Sequence, residues 1–170
     1  DNGMTGSGSV FVGALLSTAN GLVAGGSFQN AGLTSSLTTN NIAQWNGTSW
    51  NNNFNTLSNI FNGPIYTLRE FSGQLYAAGT FNSPQLNTAR WNGSTWNNNG
   101  TGINLVNNVP YNGVAAQYVY SGNLIVGGHF LNADNLPMTQ HIASWNGSSW
   151  SAMPGGDLPD TIDAVHDFIN

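Results

Sequence analysis

The sequence predicts an all-β fold of tandem repeats, with three repeats of four strands each and one strand of a fourth. A Trp-Asn-Gly-x-x-Trp unit begins at Trp45, Trp91 and Trp145, so it recurs after 46 and then 54 residues. A short apolar segment with small central residues precedes each copy, and turn-forming dipeptides separate these segments. No stretch shows the periodicity of an amphipathic helix. A repeat of this length is typical of β-propeller blades.

Each predicted repeat has four strands in the same order. Strand one is clearest at 65–71 and 114–120, where it ends at a Ser-Gly turn, and strand two is the small-residue segment. Strand three ends in Ala-x-Trp, and strand four follows Asn-Gly, which favours a two-residue type I′ hairpin loop. The predicted repeats span approximately 9–55, 63–100 and 112–153, and the further strand spans 161–170.

The tryptophans are predicted to pack between sheets. With a two-residue loop, Trp45 faces Thr48 and Ala43 faces Trp50, and all four side chains share one face of the hairpin. The small alanine leaves room for the ring opposite it. The expected packing residues are Trp45, Trp50, Trp91, Trp96, Trp145 and Trp150. The alternative is that these rings stack on sugars.

At this level the sequence resembles the kelch-like propeller repeats of secreted and cell-surface proteins, of the fungal cortical polarity-marker type and its bacterial relatives. Residues 24–28 with 41–50, and 126–130 with 141–150, carry the pattern Val-Gly-Gly-x-Phe, loop, Asn-Ile-Ala-x-Trp-Asn-Gly-x-x-Trp in close form. The middle copy departs from it at Ala78 and Thr88. The resemblance implies a propeller architecture and an external location, but propellers host many unrelated activities.

The segment 161–170 is a candidate assembly strand. Ile162, Val165 and Phe168 have the spacing of the apolar residues in 65–71, but the Ser-Gly turn does not follow. One hypothesis is that the chain is part of a longer propeller. The other is that this strand completes a sheet in a neighbouring copy and builds a ring or a fibre.

Composition excludes several partners. Only 5% of the residues are charged, with two basic residues and a net charge of −5, whereas Asn occurs 27 times. Two cations cannot neutralise a run of phosphates, so nucleic-acid binding is not expected. No apolar run is long enough to cross a bilayer, and membrane insertion is not expected either. The chain begins with Asp1 and contains no cysteine, so we expect a processed protein or a segment, in either redox compartment.

No catalytic constellation is predicted, and no cofactor is expected. The histidines at 129, 141 and 166 occupy different repeat positions, and Glu70 is the sole glutamate. A hydroxyl nucleophile would need a positioned base. No metal site is predicted either, although oxygen ligands of an acidic segment are weak candidates for Ca²⁺ or else form a solvated turn. These are Asp157, Asp160, Asp163 and the nearby Asp167.

Four asparagines satisfy the N-glycosylation rule. They are Asn46, Asn92, Asn99 and Asn146, three of which occupy the same predicted hairpin tip. The alternative is that Asn-Gly serves the turn alone.

The sequence therefore favours a non-enzymatic extracellular or cell-surface module, used in structure or adhesion and able to form filaments. A carbohydrate-binding propeller is the alternative. The expected partners are copies of the chain or the rest of a longer one, with glycans as a further candidate.

Overall fold

A computed structural model describes residues 3–32, 37–54, 60–106 and 112–156. All regular elements in these ranges are β-strands, which confirms the all-β prediction. None of the described residues belongs to a helix long and apolar enough to cross a membrane. The strands are β1 (Met4–Thr5), β2 (Phe11–Thr18), β3 (Gly21–Ser27), β4 (Asn30–Ala31), β5 (Ile42–Trp45), β6 (Trp50–Asn51), β7 (Ile65–Phe71), β8 (Gln74–Gly79), β9 (Thr88–Trp91), β10 (Trp96–Asn97), β11 (Ile103–Leu105), β12 (Gly113–Tyr120), β13 (Asn123–Ala133), β14 (Ile142–Trp145) and β15 (Trp150–Ser151).

Each repeat forms its own antiparallel sheet. The first sheet has the order β2-β3-β5-β6, and the second has the order β7-β8-β9-β10. The third sheet contains β12, β13, β14 and β15 in the same relation, with β11 added beside the end of β13. The third repeat therefore has five strands where the sequence predicted four, because β13 is long enough to pair with β11 beyond its contact with β12. A small sheet of β1 and β4 lies near the chain start.

The core lies between successive sheets. One buried cluster joins Val23 and Ile42 of the first sheet to Leu75 and Trp96 of the second. A second cluster joins Tyr76 of the second sheet to residues of the third, including Leu124, Val126, Trp145 and Trp150. Each sheet thus buries side chains on both faces wherever it has a neighbour, and burial of this apolar surface is the main stabilising term.

A glycine at the end of strand two is imposed by backbone contact with strand one. A Cβ on Gly26, Gly79 or Gly128 would lie 2.1 to 2.2 Å from a carbonyl oxygen of the facing segment. The preceding position has no such restriction in the second repeat, where Ala78 is fully buried. This explains why the middle copy changes the first glycine of the pair and keeps the second.

The hairpin between strands three and four differs from the prediction. Trp45 pairs directly with Trp50, and the equivalent tryptophans pair in the other two sheets, so the loop has four residues rather than two. The predicted pairings of Ala43 with Trp50 and of Trp45 with Thr48 are therefore wrong, since Trp50 pairs with Trp45 and Asn51 pairs with Gln44. The type I′ geometry occurs instead at the Ser-Gly turns, where both residues of Ser72-Gly73 have positive φ.

Asparagine closes the longer loop with its side chain. Oδ1 of Asn46 accepts hydrogen bonds from the backbone N–H of Thr48 and of Ser49, both at 2.9 Å. Asn92 and Asn146 make the same pair of bonds in their own loops. Asn is needed here as an acceptor, and Gly47 supplies the positive φ.

Candidate functional site

The tryptophans of each hairpin lie side by side on one face of their sheet. The ring centroids of the three pairs are 5.6, 5.4 and 5.1 Å apart in chain order. We call this side of a sheet its tryptophan face. In the first sheet the paired strands place on it Leu15, Leu22, Ala24, Ala43, Trp45 and Trp50.

The tryptophan faces of the second and third sheets are covered by the sheet before them. Trp96 is buried among residues that include Val23 and Ile42, and Trp150 is buried in the cluster that contains Tyr76. Both indoles also donate a hydrogen bond to a backbone carbonyl of the preceding repeat. Trp96 Nε1 donates to the carbonyl of Phe54 at 3.0 Å, and Trp150 Nε1 donates to that of Asn99 at 2.8 Å.

These two bonds follow one rule. Phe54 and Asn99 each lie three or four residues beyond the second tryptophan of the preceding repeat, just after its strand four. The indole of one repeat therefore forms a hydrogen bond with the segment that follows strand four of the previous repeat. We call this hydrogen bond the indole latch.

Among the described residues, the tryptophan face of the first sheet is the least covered of the three, although Ala24 and Ala43 on it are fully buried. Leu15 is 62% exposed, whereas its counterparts Leu68 and Gln117 are each 7% exposed. Trp45 and Trp50 are half-buried, and Trp50 forms no indole latch within the described residues. Its residues are similar to those of the two observed interfaces, but among the described residues no sheet of another repeat packs against it, and only Phe28, Ala31 and Met4 lie near Ala43 and Trp50.

In the first and second repeats, an asparagine side chain joins the repeat to the segment that follows it, and we call this arrangement the asparagine clamp. Sequence reasoning missed it. Asn87 Oδ1 accepts from the N–H of Phe81 at 2.9 Å, and its Nδ2 donates to the carbonyl of Ile103 at 2.8 Å. Asn41 makes the equivalent bonds to Phe28 and Phe61, both at 3.0 Å. Both asparagines have positive φ. The sequence does contain a signal for the clamp, because an asparagine comes directly before strand three in both repeats.

In the third repeat a histidine occupies the clamp position. His141 is buried, and its Nδ1 lies 3.2 Å from the carbonyl oxygen of Gly128. The fold brings it beside His129, with ring centroids 5.3 Å apart, although the two residues occupy different positions in the repeat. No group of three potential metal-ligating side chains occurs among the described residues. His166 and the acidic candidates Asp157, Asp160, Asp163 and Asp167 lie outside those residues.

A cleft of about 540 Å³ opens between the first and second sheets. Its walls combine Trp91, Phe54 and Leu75 with amides and one carboxylate. The polar lining residues include Asn20, Gln44, Asn53, Glu70 and Asn92. Glu70, Leu75 and Trp91 are directly paired across neighbouring strands, so their side chains share the tryptophan face of the second sheet.

A larger cleft of about 640 Å³ lies at the opposite end of the second and third sheets. Amides dominate its walls, and several of them are already bonded to one another or to backbone. Asn104 Nδ2 donates to Asn132 and to Asn135, and Asn112 Nδ2 donates to the carbonyl of Val106.

The four glycosylation candidates fall into two groups. Asn46, Asn92 and Asn146 are exposed at their hairpin tips. Asn99 is 1% exposed, and its Nδ2 donates to Thr88 Oγ1 at 3.0 Å. Because a glycan is attached through Nδ2, this fold has no room for one on Asn99.

A scan against protein-family models gives no match, and a search of curated proteins gives none either.

Proposed function

We propose that this chain is a non-enzymatic structural or adhesive repeat module of propeller type, acting outside the cell or at its surface, which associates with copies of itself. The partly covered tryptophan face of the first sheet, with Leu15 62% exposed and Trp45 and Trp50 half-buried, is the observation that carries the proposal. A face with the same residue types is buried in the second sheet, and a similar one, with Gln117 and Val126 in place of Leu and Ala, is buried in the third. Exposed apolar side chains on such a face are typical of association sites.

The partner that fits this face best is another repeat of the same kind, supplied by a second copy. Each covered tryptophan face meets buried apolar residues such as Val23 or Tyr76 and a backbone carbonyl that accepts the indole N–H. In the first sheet Trp50 packs against the cluster of Phe28, Ala31 and Ala43, but among the described residues it meets no sheet of another repeat and no such carbonyl. Because one face of a copy meets a different face of the next, association of this type is heterologous and produces a ring or a filament.

The segment 161–170 supports the same proposal from the sequence. Its assembly residues Ile162, Val165 and Phe168 lie outside the described residues, so its role as a donated strand stays a prediction. Its counterpart β7 buries Ile65, Leu68 and Phe71. An equivalent strand is therefore expected to pack against a sheet.

The external location is supported by composition and by the hairpin tips. Few charges, abundant Asn and three exposed sequons suit a secreted or surface protein, and the kelch-like resemblance agrees with them. A carbohydrate-binding function is the alternative, and the open cleft between the first and second sheets favours it.

Sedimentation velocity of the full chain tests the proposal. Between about 1 μM and about 1 mM, where association free energies run from roughly −8 to −4 kcal/mol, we expect species larger than the monomer to grow with concentration. A single monomeric species throughout this range would contradict self-association.

A further inference from the structure

The two internal interfaces differ at one end, where the second is filled and the first is open. At the second interface Tyr76 is buried, and its hydroxyl accepts a hydrogen bond of 3.3 Å from Trp145 Nε1. Arg90 donates to the carbonyl of Gly147 at 3.4 Å, and the ring of Phe71 also lies close to Gly147. Three large side chains of the second sheet therefore occupy the space in front of the third sheet's tryptophans.

At the first interface all three equivalent positions hold smaller side chains. Strand register matches Thr18 with Phe71, Val23 with Tyr76, and Gln44 with Arg90. Thr18 and Gln44 bond to their own sheet: Thr18 Oγ1 donates to the Gly21 carbonyl at 2.9 Å and Gln44 Nε2 to the Asn20 carbonyl at 3.2 Å. The cleft of about 540 Å³ is the space that results.

Trp91 faces this cleft as the counterpart of Trp145. It is half-buried, and its indole N–H has no hydrogen-bond partner in the part of the chain that the structure describes. At the filled interface the same N–H donates to the Tyr76 hydroxyl. The open cleft therefore presents an aromatic donor at a position where the fold elsewhere provides a hydroxyl acceptor.

The surrounding groups suit a ligand with several hydroxyls. Glu70 is exposed at the cleft and can accept from a pair of hydroxyls, while Asn92 Nδ2 can donate and Asn53 Oδ1 can accept. The other amide atoms of these two residues are bonded within the chain, Asn92 Oδ1 to its own loop and Asn53 Nδ2 to Gln44. Phe54 and Trp91 contribute aromatic surface, with ring centroids 5.4 Å apart in an edge arrangement. Convergent polar groups beside aromatic surface are what a small-molecule site requires.

We propose that this cleft binds a neutral saccharide, one hydroxyl of which accepts the Trp91 N–H in the place that Tyr76 fills at the second interface. A neutral sugar is favoured over an acidic one because the cleft contains a carboxylate and no cation among its lining residues. The net charge of −5 also disfavours an acidic sugar. This binding site is independent of the self-association proposed above.

Nuclear magnetic resonance of the tryptophan indole N–H groups tests the proposal, on protein produced without glycans. The probes are glucose, galactose, mannose and N-acetylglucosamine, with galacturonic acid as the acidic comparison, each up to about 50 mM, well above a Kd of about 1 mM. We expect at least one neutral sugar to move the Trp91 signal saturably, while the buried Trp145 signal stays in place. Galacturonic acid should bind at least several-fold more weakly.

Two variants and a matched control separate the cleft from other surfaces. Glu70→Gln should weaken binding several-fold, whereas Asp134→Asn removes the same charge outside the cleft and should leave it unchanged. Thr18→Phe introduces the ring found at the filled interface and should abolish the Trp91 shift, with the Trp145 signal reporting that the fold is intact. The proposal would be overturned if no sugar moved the Trp91 signal, or if the shift survived both cleft variants.

Discussion

The indole Nε1 of Trp150 donates a 2.8 Å hydrogen bond to the carbonyl oxygen of Asn99 and so joins two consecutive repeats. Both groups are buried, so neither can exchange this bond for one with water. The same relationship links Trp96 to Phe54, which makes the latch a property of the repeat rather than of one site.

Removing one latch should destabilise the fold measurably. Trp150→Phe keeps an aromatic ring but leaves the Asn99 carbonyl without its donor, and we expect a loss of about 1–3 kcal/mol in the free energy of unfolding. Trp50→Phe is the matched control, because Trp50 forms no latch within the described residues, and its loss should be smaller. Urea denaturation followed by fluorescence measures both. Equal losses would show that the latch contributes nothing beyond ring packing.

Gln117 offers a stabilising substitution. It stands where the first two repeats have Leu15 and Leu68, and its buried amide nitrogen and oxygen make no hydrogen bond with any residue that the structure describes. Gln117→Leu should raise the free energy of unfolding by about 1–3 kcal/mol, the usual cost of an unsatisfied buried polar group. The reciprocal change Leu68→Gln should lower it by a similar amount. A neutral or destabilising Gln117→Leu in thermal unfolding would contradict this assignment.

The asparagine clamp should tolerate histidine better than alanine. Asn87→Ala removes an acceptor and a donor at a residue with φ of 59°, so two buried backbone groups lose their partners. We expect a loss of about 2–4 kcal/mol. Asn87→His introduces the residue that the third repeat uses at this position and should cost less. Chemical denaturation measures the midpoint of each variant. A lower midpoint for Asn87→His than for Asn87→Ala would refute this prediction.

Glycosylation should follow exposure rather than the sequon alone. Expression through a eukaryotic secretory pathway should place glycans on some or all of Asn46, Asn92 and Asn146, and none on Asn99. Peptide mapping by mass spectrometry after glycosidase treatment reads each site separately. A glycan found on Asn99 of folded protein would be incompatible with the buried bond to Thr88.

The strands were predictable because alternation and turn residues act locally. The predicted 65–71 strand is β7 to the residue, and it ends at the predicted Ser-Gly turn. The hairpin loop was not predictable in length. Asn46-Gly47 fits a two-residue loop equally well in sequence, and only the bonds of the Asn46 side chain to Thr48 and Ser49 select the longer one.

The candidate sites depend on contacts between repeats, which a single sequence does not specify. The sequon rule does not distinguish Asn99, which is buried, from Asn92, which is exposed at its hairpin tip. The cleft exists because Thr18, Val23 and Gln44 are small where their counterparts are large. The difference in side-chain size indicates a candidate site only once the structure places Trp91 at the cleft.

Self-association through the tryptophan face of the first sheet is tested most directly by a charge placed on that face. Leu15 is 62% exposed and lies beside Ala24, so Leu15→Lys should leave the fold intact while setting an unpaired cation against any docked sheet. Met138→Lys is the control, since Met138 is 57% exposed in a loop away from this face. In sedimentation velocity at matched concentrations, we expect Leu15→Lys to be monomeric while wild type and Met138→Lys form larger species. Association of Leu15→Lys equal to that of wild type would contradict the account.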